Sequence, residues 1–277
     1  MTELQRVLDA NQAKELEGFR DALVELLYQL ADDDFILSYR GSEWLGLAPH
    51  IEEDVSFSSI SQDTMGHAVA FYEMLESLGE GKADDLAQLR QPEAFRNAIL
   101  VERPNGSGHY MEKPQYDWAY TVVRFYLYEL FKQVRLESLV HSTYVPLAQL
   151  ARKMMPELHY HLIHWSVWLK QLANSTDEAK SKMVNALQKA WVDLGDLFDL
   201  GPQADAIVQH GLIEGEELLR ERWIHRVKQT LEVNRLPWFG KPVKGEYNGR
   251  AGKHTDDLVT ALQTLSEVYR LDPAANW

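Results

Sequence analysis

Four stretches of this chain place apolar side chains at alternating steps of four and three residues, a period that long amphipathic helices use to bury one face against each other. Leu23, Leu27, Leu30, Asp34 and Leu37 draw the first stripe, and Ile60, Thr64, His67, Phe71, Met74 and Leu78 the second. Val122, Tyr126, Glu129, Gln133, Leu136 and Val140 draw the third, and Ala151, Met154, Leu158, His161, Trp165 and Trp168 the fourth. The spacing predicts helices over roughly 12–40, 52–79, 115–142 and 145–173, then over about 176–199, 203–233 and 254–270.

The connections order these helices. The first, GSEWLGLAPHIEED, is short, and so is the third, near STYVP. The middle one runs for about 35 residues and includes VERPNGSGHY, a turn in which Pro fixes φ while Asn and Gly tolerate positive φ. Two short hairpins joined by one long crossover is the ferritin-like arrangement, whereas an up-down-up-down bundle has short loops throughout. The expected fold class is all-α: a ferritin-like four-helix bundle with added C-terminal helices. One domain is expected over 1–277, with the core bundle at about 12–173. The segment LPWFGKPVKGEYNGRAGKH, rich in Gly, Pro and basic residues, reads as an ordered surface loop in the remainder, about 176–277.

Composition narrows the chemistry. No cysteine is present, which excludes disulfides, iron–sulfur clusters, thiolate zinc sites and cysteine nucleophiles. A formal charge of −14 argues against nucleic acid or an anionic membrane as partner, while leaving room for a local basic patch. The start, MTELQRVLDANQAKELEGF, reads as neither a signal nor a transit peptide, and no apolar run is long enough for a membrane span. A soluble, cytoplasmic protein is expected.

Polar residues interrupt the stripes at matching places. Asp34 and His67 are 33 residues apart, and Glu129 and His161 are 32 apart, so each hairpin offers a carboxylate and, one helix later, an imidazole. A single acid or His on an apolar stripe is most often a hydrogen-bonded core residue. The repeat favours a shared polar layer, because buried ionisable groups are costly unless paired. A di-iron site in such a bundle takes a Glu from each of two helices and a Glu-x-x-His pair from each of the others. Here those pairs read Thr64-Met65-Gly66-His67 and Leu158-His159-Tyr160-His161. Both carboxylates are missing, at Thr64 and Leu158. Asp63 and Glu157 lie one residue earlier, about 100° around the helix, where they do not readily face the same centre.

The runs SEWLGLAP, QDTMGHAVAFY, ILVERPNGSG, PELHYHLIHW and NGRAGKHTDDL, with the closing ANW, resemble the phenylacetic acid degradation C family, over about residue 25 to the end. That resemblance implies a subunit of the bacterial phenylacetyl-CoA epoxidase, a multicomponent monooxygenase of aerobic phenylacetate catabolism. Its catalytic sister subunit is ferritin-like and holds the di-iron centre, with motifs resembling Gln-Asp-Glu-x-Gly-His and Glu-Glu-x-Phe-His. Set against them, the ligand Glu falls on Thr64 and on Leu158, while Asp34 and Glu129 match the remaining carboxylates. The resemblance therefore implies a non-catalytic structural subunit with no catalytic residue, cofactor or metal of its own. The layer Asp34, His67, Glu129 and His161 is then a vestige. The implied partners are the di-iron catalytic subunit and the reductase subunit, in a hetero-oligomer or alongside a homodimer, with a share in shaping the CoA site.

Two other readings use the same residues. One is a metalloenzyme with a mononuclear site at Asp34, His67, Glu129 and His161. The other is an unrelated helical interaction protein with a purely structural polar layer. Elsewhere, GSEWLGLAP and GEYNGRAG lack the phosphate-loop Lys-Ser/Thr pattern. His164 falls off the stripe and reads as a surface or interface histidine, and His159 and His161 point too far apart to chelate. His109 and His141 have no evident partner. Trp165/Trp168 and Phe71/Tyr72 read as bundle core rather than a substrate box. Lys241, Lys244, Arg250 and Lys253 are either a solvated loop or contacts for CoA phosphates or a partner's acids.

Overall fold

The structure is a computed structural model that describes residues 5–108 and 112–275. His109 and the last two residues of the closing ANW lie outside the described residues. The described residues form α1 (Ala10–Glu15), α2 (Phe19–Ser42), α3 (Ile51–Ser77), α4 (Ala83–Gln88), α5 (Ile99–Glu102), α6 (Trp118–Leu139), α7 (Val145–Asn174), α8 (Asp177–Trp191), α9 (Ala204–Gln209), α10 (Glu216–Val233) and α11 (Asp256–Ser266). A two-residue antiparallel pair, β1 (Gly106–Ser107) and β2 (Gln115–Tyr116), sits inside the crossover. None of these helices is long and apolar enough to cross a membrane.

Short polar side chains start the helices. Asp9 accepts from the Gln12 amide, Asp117 from Tyr120 and Thr176 from Ala179, each satisfying a donor that the first turn leaves open. The helix expected over 12–40 is two helices, because Gly18 takes φ +70° between α1 and α2. Likewise the 203–233 stretch divides into α9 and α10, and the 176–199 helix stops at Trp191. Beyond it Leu194, Leu197 and Phe198 stay buried in irregular chain.

α2 packs along α3, and α6 along α7, each pair joined by a short loop; the long crossover carries α4, α5 and the β pair. α8 and α10 then cover the side of α6 turned away from α7, and Trp223 of α10 donates to the Leu127 carbonyl at 3.0 Å. Most of α6 is therefore enclosed. Arg124, Lys132 and Arg135, which a two-faced helix would turn to water, are all buried.

The crossover and the C-terminal loop are pinned by backbone contact. A Cβ on Gly106 would lie 2.2 Å from the Gln115 carbonyl oxygen, so the PNGS turn closes only with glycine there. Beside it, buried Asn105 donates to the Arg40 carbonyl at 2.7 Å and to Glu43 at 2.8 Å. Gly249 lies against Asn97 with no room for a Cβ, and this close approach drives Arg250 into the core.

Candidate functional site

Three consecutive aspartates on α2 build the polar interior. Asp32, Asp33 and Asp34 are all buried, and successive residues turn by about 100°, so each meets a different part of the chain. Asp32 accepts from the Tyr72 hydroxyl at 2.6 Å and the Arg96 amide at 2.7 Å and pairs with Arg90 of the crossover. Asp33 accepts from both Nη atoms of Arg250, at 2.9 and 2.8 Å, and forms an ion pair with Arg135 of α6 at 2.9 Å. These guanidinium groups more than offset the cost of burial and hold its carboxyl below the usual range. Asp34 faces Lys132.

Lys132 ties the layer together. Its ammonium lies 2.8 Å from Asp34 Oδ2 and 2.8 Å from His67 Nδ1, and its side chain is 3% exposed. An ammonium only donates, so Nδ1 of His67 is the acceptor and Nε2 carries the proton, donated to Glu157 at 2.7 Å. Burial and the neighbouring ammonium push the His67 imidazole down to about 2, so it is neutral. Burial pushes Asp34 up to about 6, against the pull of Lys132 and Arg135.

The second half is arranged differently. His161 Nε2 lies 3.1 Å from Asp63, and Nδ1 lies 3.5 Å from Glu129, an ionic contact longer than a hydrogen bond. Both Glu129 oxygens lack a hydrogen-bond partner although the residue is fully buried. Burial alone would lower the His161 pKa, but the facing carboxylates of Glu129 and Asp63 raise it, favouring the imidazolium.

Asp63 and Glu157 each meet a different histidine and share no centre. They do reach the layer, from its half-exposed rim, and they cross over. Asp63 of α3 meets the histidine of α7, while Glu157 of α7 meets the histidine of α3. Each bonds the outer nitrogen of an imidazole rather than a shared centre. Lys132 is the residue the stripe reading misses, since it neighbours the stripe position Gln133. Its signal was the spacing Glu129-x-x-Lys132, which repeats the three-residue step of a Glu-x-x-His pair with a cation in place of the second ligand.

These residues do not fit a di-iron cage. Thr64 spends its hydroxyl on the Ile60 carbonyl at 2.8 Å, and Leu158 is core. No three His, Asp or Glu side chains among the described residues are grouped to hold a metal ion. Lys132 and His161 supply the positive charge that faces Asp34 and Glu129.

A family model described as "Phenylacetic acid catabolic protein" matches residues 5–277. The chain belongs to that family. Among its relatives, a subunit of the 1,2-phenylacetyl-CoA epoxidase of Escherichia coli (strain K12) is 31% identical over 252 residues, covering 90% of this chain and 96% of that protein.

Other expected residues also find their places. Arg250 is not a surface cation: it is buried against Asp33. Lys244 pairs with Asp199 at 2.8 Å, whereas Lys241 and Lys253 are exposed. His164 is half-buried. It bonds Glu53, a buried acid of the first turn of α3, at 2.9 Å, and Trp168 donates to the same carboxylate at 2.5 Å. Trp165, Phe71 and Tyr72 are core, with Trp165 packed between Phe57 and Phe125. His141 and His159 are exposed.

Proposed function

We propose that this chain is the non-catalytic, structural subunit of a bacterial multicomponent phenylacetyl-CoA epoxidase in aerobic phenylacetate catabolism. In this reading it is a ferritin-like bundle of the cytoplasm that pairs with, and stabilises, the di-iron subunit that does the chemistry. It brings no cofactor of its own. The similarity to the E. coli epoxidase subunit supports the assignment to that complex. The observation that carries the non-catalytic part is the ammonium of Lys132 between Asp34 and His67, with Thr64 and Leu158 where ligand carboxylates would stand. The same ammonium counts against a mononuclear metalloenzyme using Asp34, His67, Glu129 and His161.

The outer surface is consistent with a partner. α7 leaves Tyr160, Ile163 and Val167 exposed, and α3 leaves Ile51, Val55 and Val69, apolar side chains of the kind that a subunit interface covers. Co-expression with the catalytic subunit, followed by a pull-down and metal analysis of each chain, tests the reading. The two chains are expected to co-purify, with iron confined to the partner. Failure to co-purify, or stoichiometric iron in this chain alone, would overturn it.

A further inference from the structure

We infer that the Lys132 ammonium is the resident cation of this bundle, holding the two hairpins together at their polar layer and barring a divalent ion from Asp34 and His67. The inference deepens the non-catalytic reading and rests on it. Lys132 comes from α6, in the second hairpin, and both of its partners come from the first: Asp34 from α2 and His67 from α3, each at 2.8 Å. One atom therefore bridges the hairpins, as a shared ion would.

The chemistry of exclusion follows from three features. The His67 lone pair that a metal would use is spent on accepting from Lys132, and the other nitrogen is held as a donor by Glu157. The Asp34 oxygen nearest the centre is taken by the same ammonium. Glu129 lies one turn before Lys132 on α6 and accepts no hydrogen bond, so an ion entering beside it would meet the fixed positive charge of that lysine. Zinc, cobalt and iron need a ligand with a free lone pair, and the ammonium occupies the one on His67 Nδ1 and engages Asp34 Oδ2.

The test uses the full purified chain and Co²⁺, whose visible absorption reports protein ligands. Wild-type protein is expected to show neither d–d bands nor a shift in Tm at millimolar Co²⁺. Lys132→Glu exchanges the cation for a third carboxylate beside Asp34 and Glu129. It is expected to unfold at lower temperature, to regain several degrees with Co²⁺, and to show bands that the added change His67→Gln removes. A wild-type chain that takes up Co²⁺ in a manner lost in Asp34→Asn would overturn the inference, as would a folded Lys132→Glu that takes up none.

A measurement on the wild type needs no variant to fold. Long-range ¹H–¹⁵N spectra of ¹⁵N-histidine protein are expected to show His67 with a bare Nδ1 and a protonated Nε2. A protonated Nδ1 could not accept from Lys132 and would also overturn the inference. These outcomes leave the subunit assignment to the pull-down, whose failure would leave the role of Lys132 untouched.

Discussion

The two halves of the polar layer start from the same parts and reach opposite electrical states. On one side Asp34 and His67 share the ammonium of Lys132, and the imidazole is driven neutral. On the other, Glu129 and His161 have only each other and the rim carboxylate of Asp63, and the imidazole is drawn toward its charged form. The difference is one side chain. A cation supplied by the chain turns a histidine into an acceptor, and its absence leaves the matching histidine facing only carboxylates. Burial is equally severe on both sides, so the neighbouring charge decides the state.

The comparison breaks most directly at Lys132. Removing one partner of a buried pair leaves an uncompensated charge, so Lys132→Ala is expected to lose about 3–5 kcal/mol in urea denaturation. Glu129→Gln removes a carboxylate that already lacks hydrogen bonds, and it is expected to cost less, about 1–3 kcal/mol. Equal losses would mean that the lysine is no more central than its neighbour.

The pH dependence sharpens the contrast, because the two histidines act with opposite sign. His67 stays neutral in the fold down to about 2, while the unfolded chain binds a proton below its ordinary value of 6.5. The unfolded state then holds more protons, so this contribution is present above pH 6.5 and is lost as pH falls, by up to about 1.4 kcal/mol per pH unit. His67→Gln is expected to flatten that acid slope. The raised pKa of His161 works the other way: its contribution is complete below the unfolded value and lost as pH rises through the folded one. His161→Gln is expected to remove stability mainly on the acid side of that transition, as read by unfolding curves across pH 5–9.

The smallest effects belong to the rim. Glu157 and Asp63 are 43% and 46% exposed, where water and salt screen their charge. Glu157→Gln and Asp63→Asn are each expected to cost under about 1 kcal/mol, and less in high salt. A larger loss at Glu157 than at Asp63 would indicate that holding the His67 tautomer, and so the lysine, depends on it.

The positions of the long helices, the short-long-short order of their connections and the loss of carboxylates at Thr64 and Leu158 were all legible in the sequence. Helical period and turn chemistry are local, and a missing ligand is a matter of residue type. The breaks at Gly18 and after Trp191 were less legible, since an apolar pattern continues through both. What only the tertiary structure decided is where the charges go. Asp32, Asp33, Lys132 and Arg135 look like solvated positions on two-faced helices. Periodicity identifies one face of a helix, and α6, covered by α7, α8 and α10, keeps little surface for water. Its cations must find partners inside, and Asp33 and Asp34 of α2 are there to receive them. Arg250 comes from far along the chain, through a loop whose course no local pattern records. The sequence by itself determined that Thr64 and Leu158 stand three residues before the two histidines; the packing of α6 among its neighbours decided that Lys132 lies between Asp34 and His67.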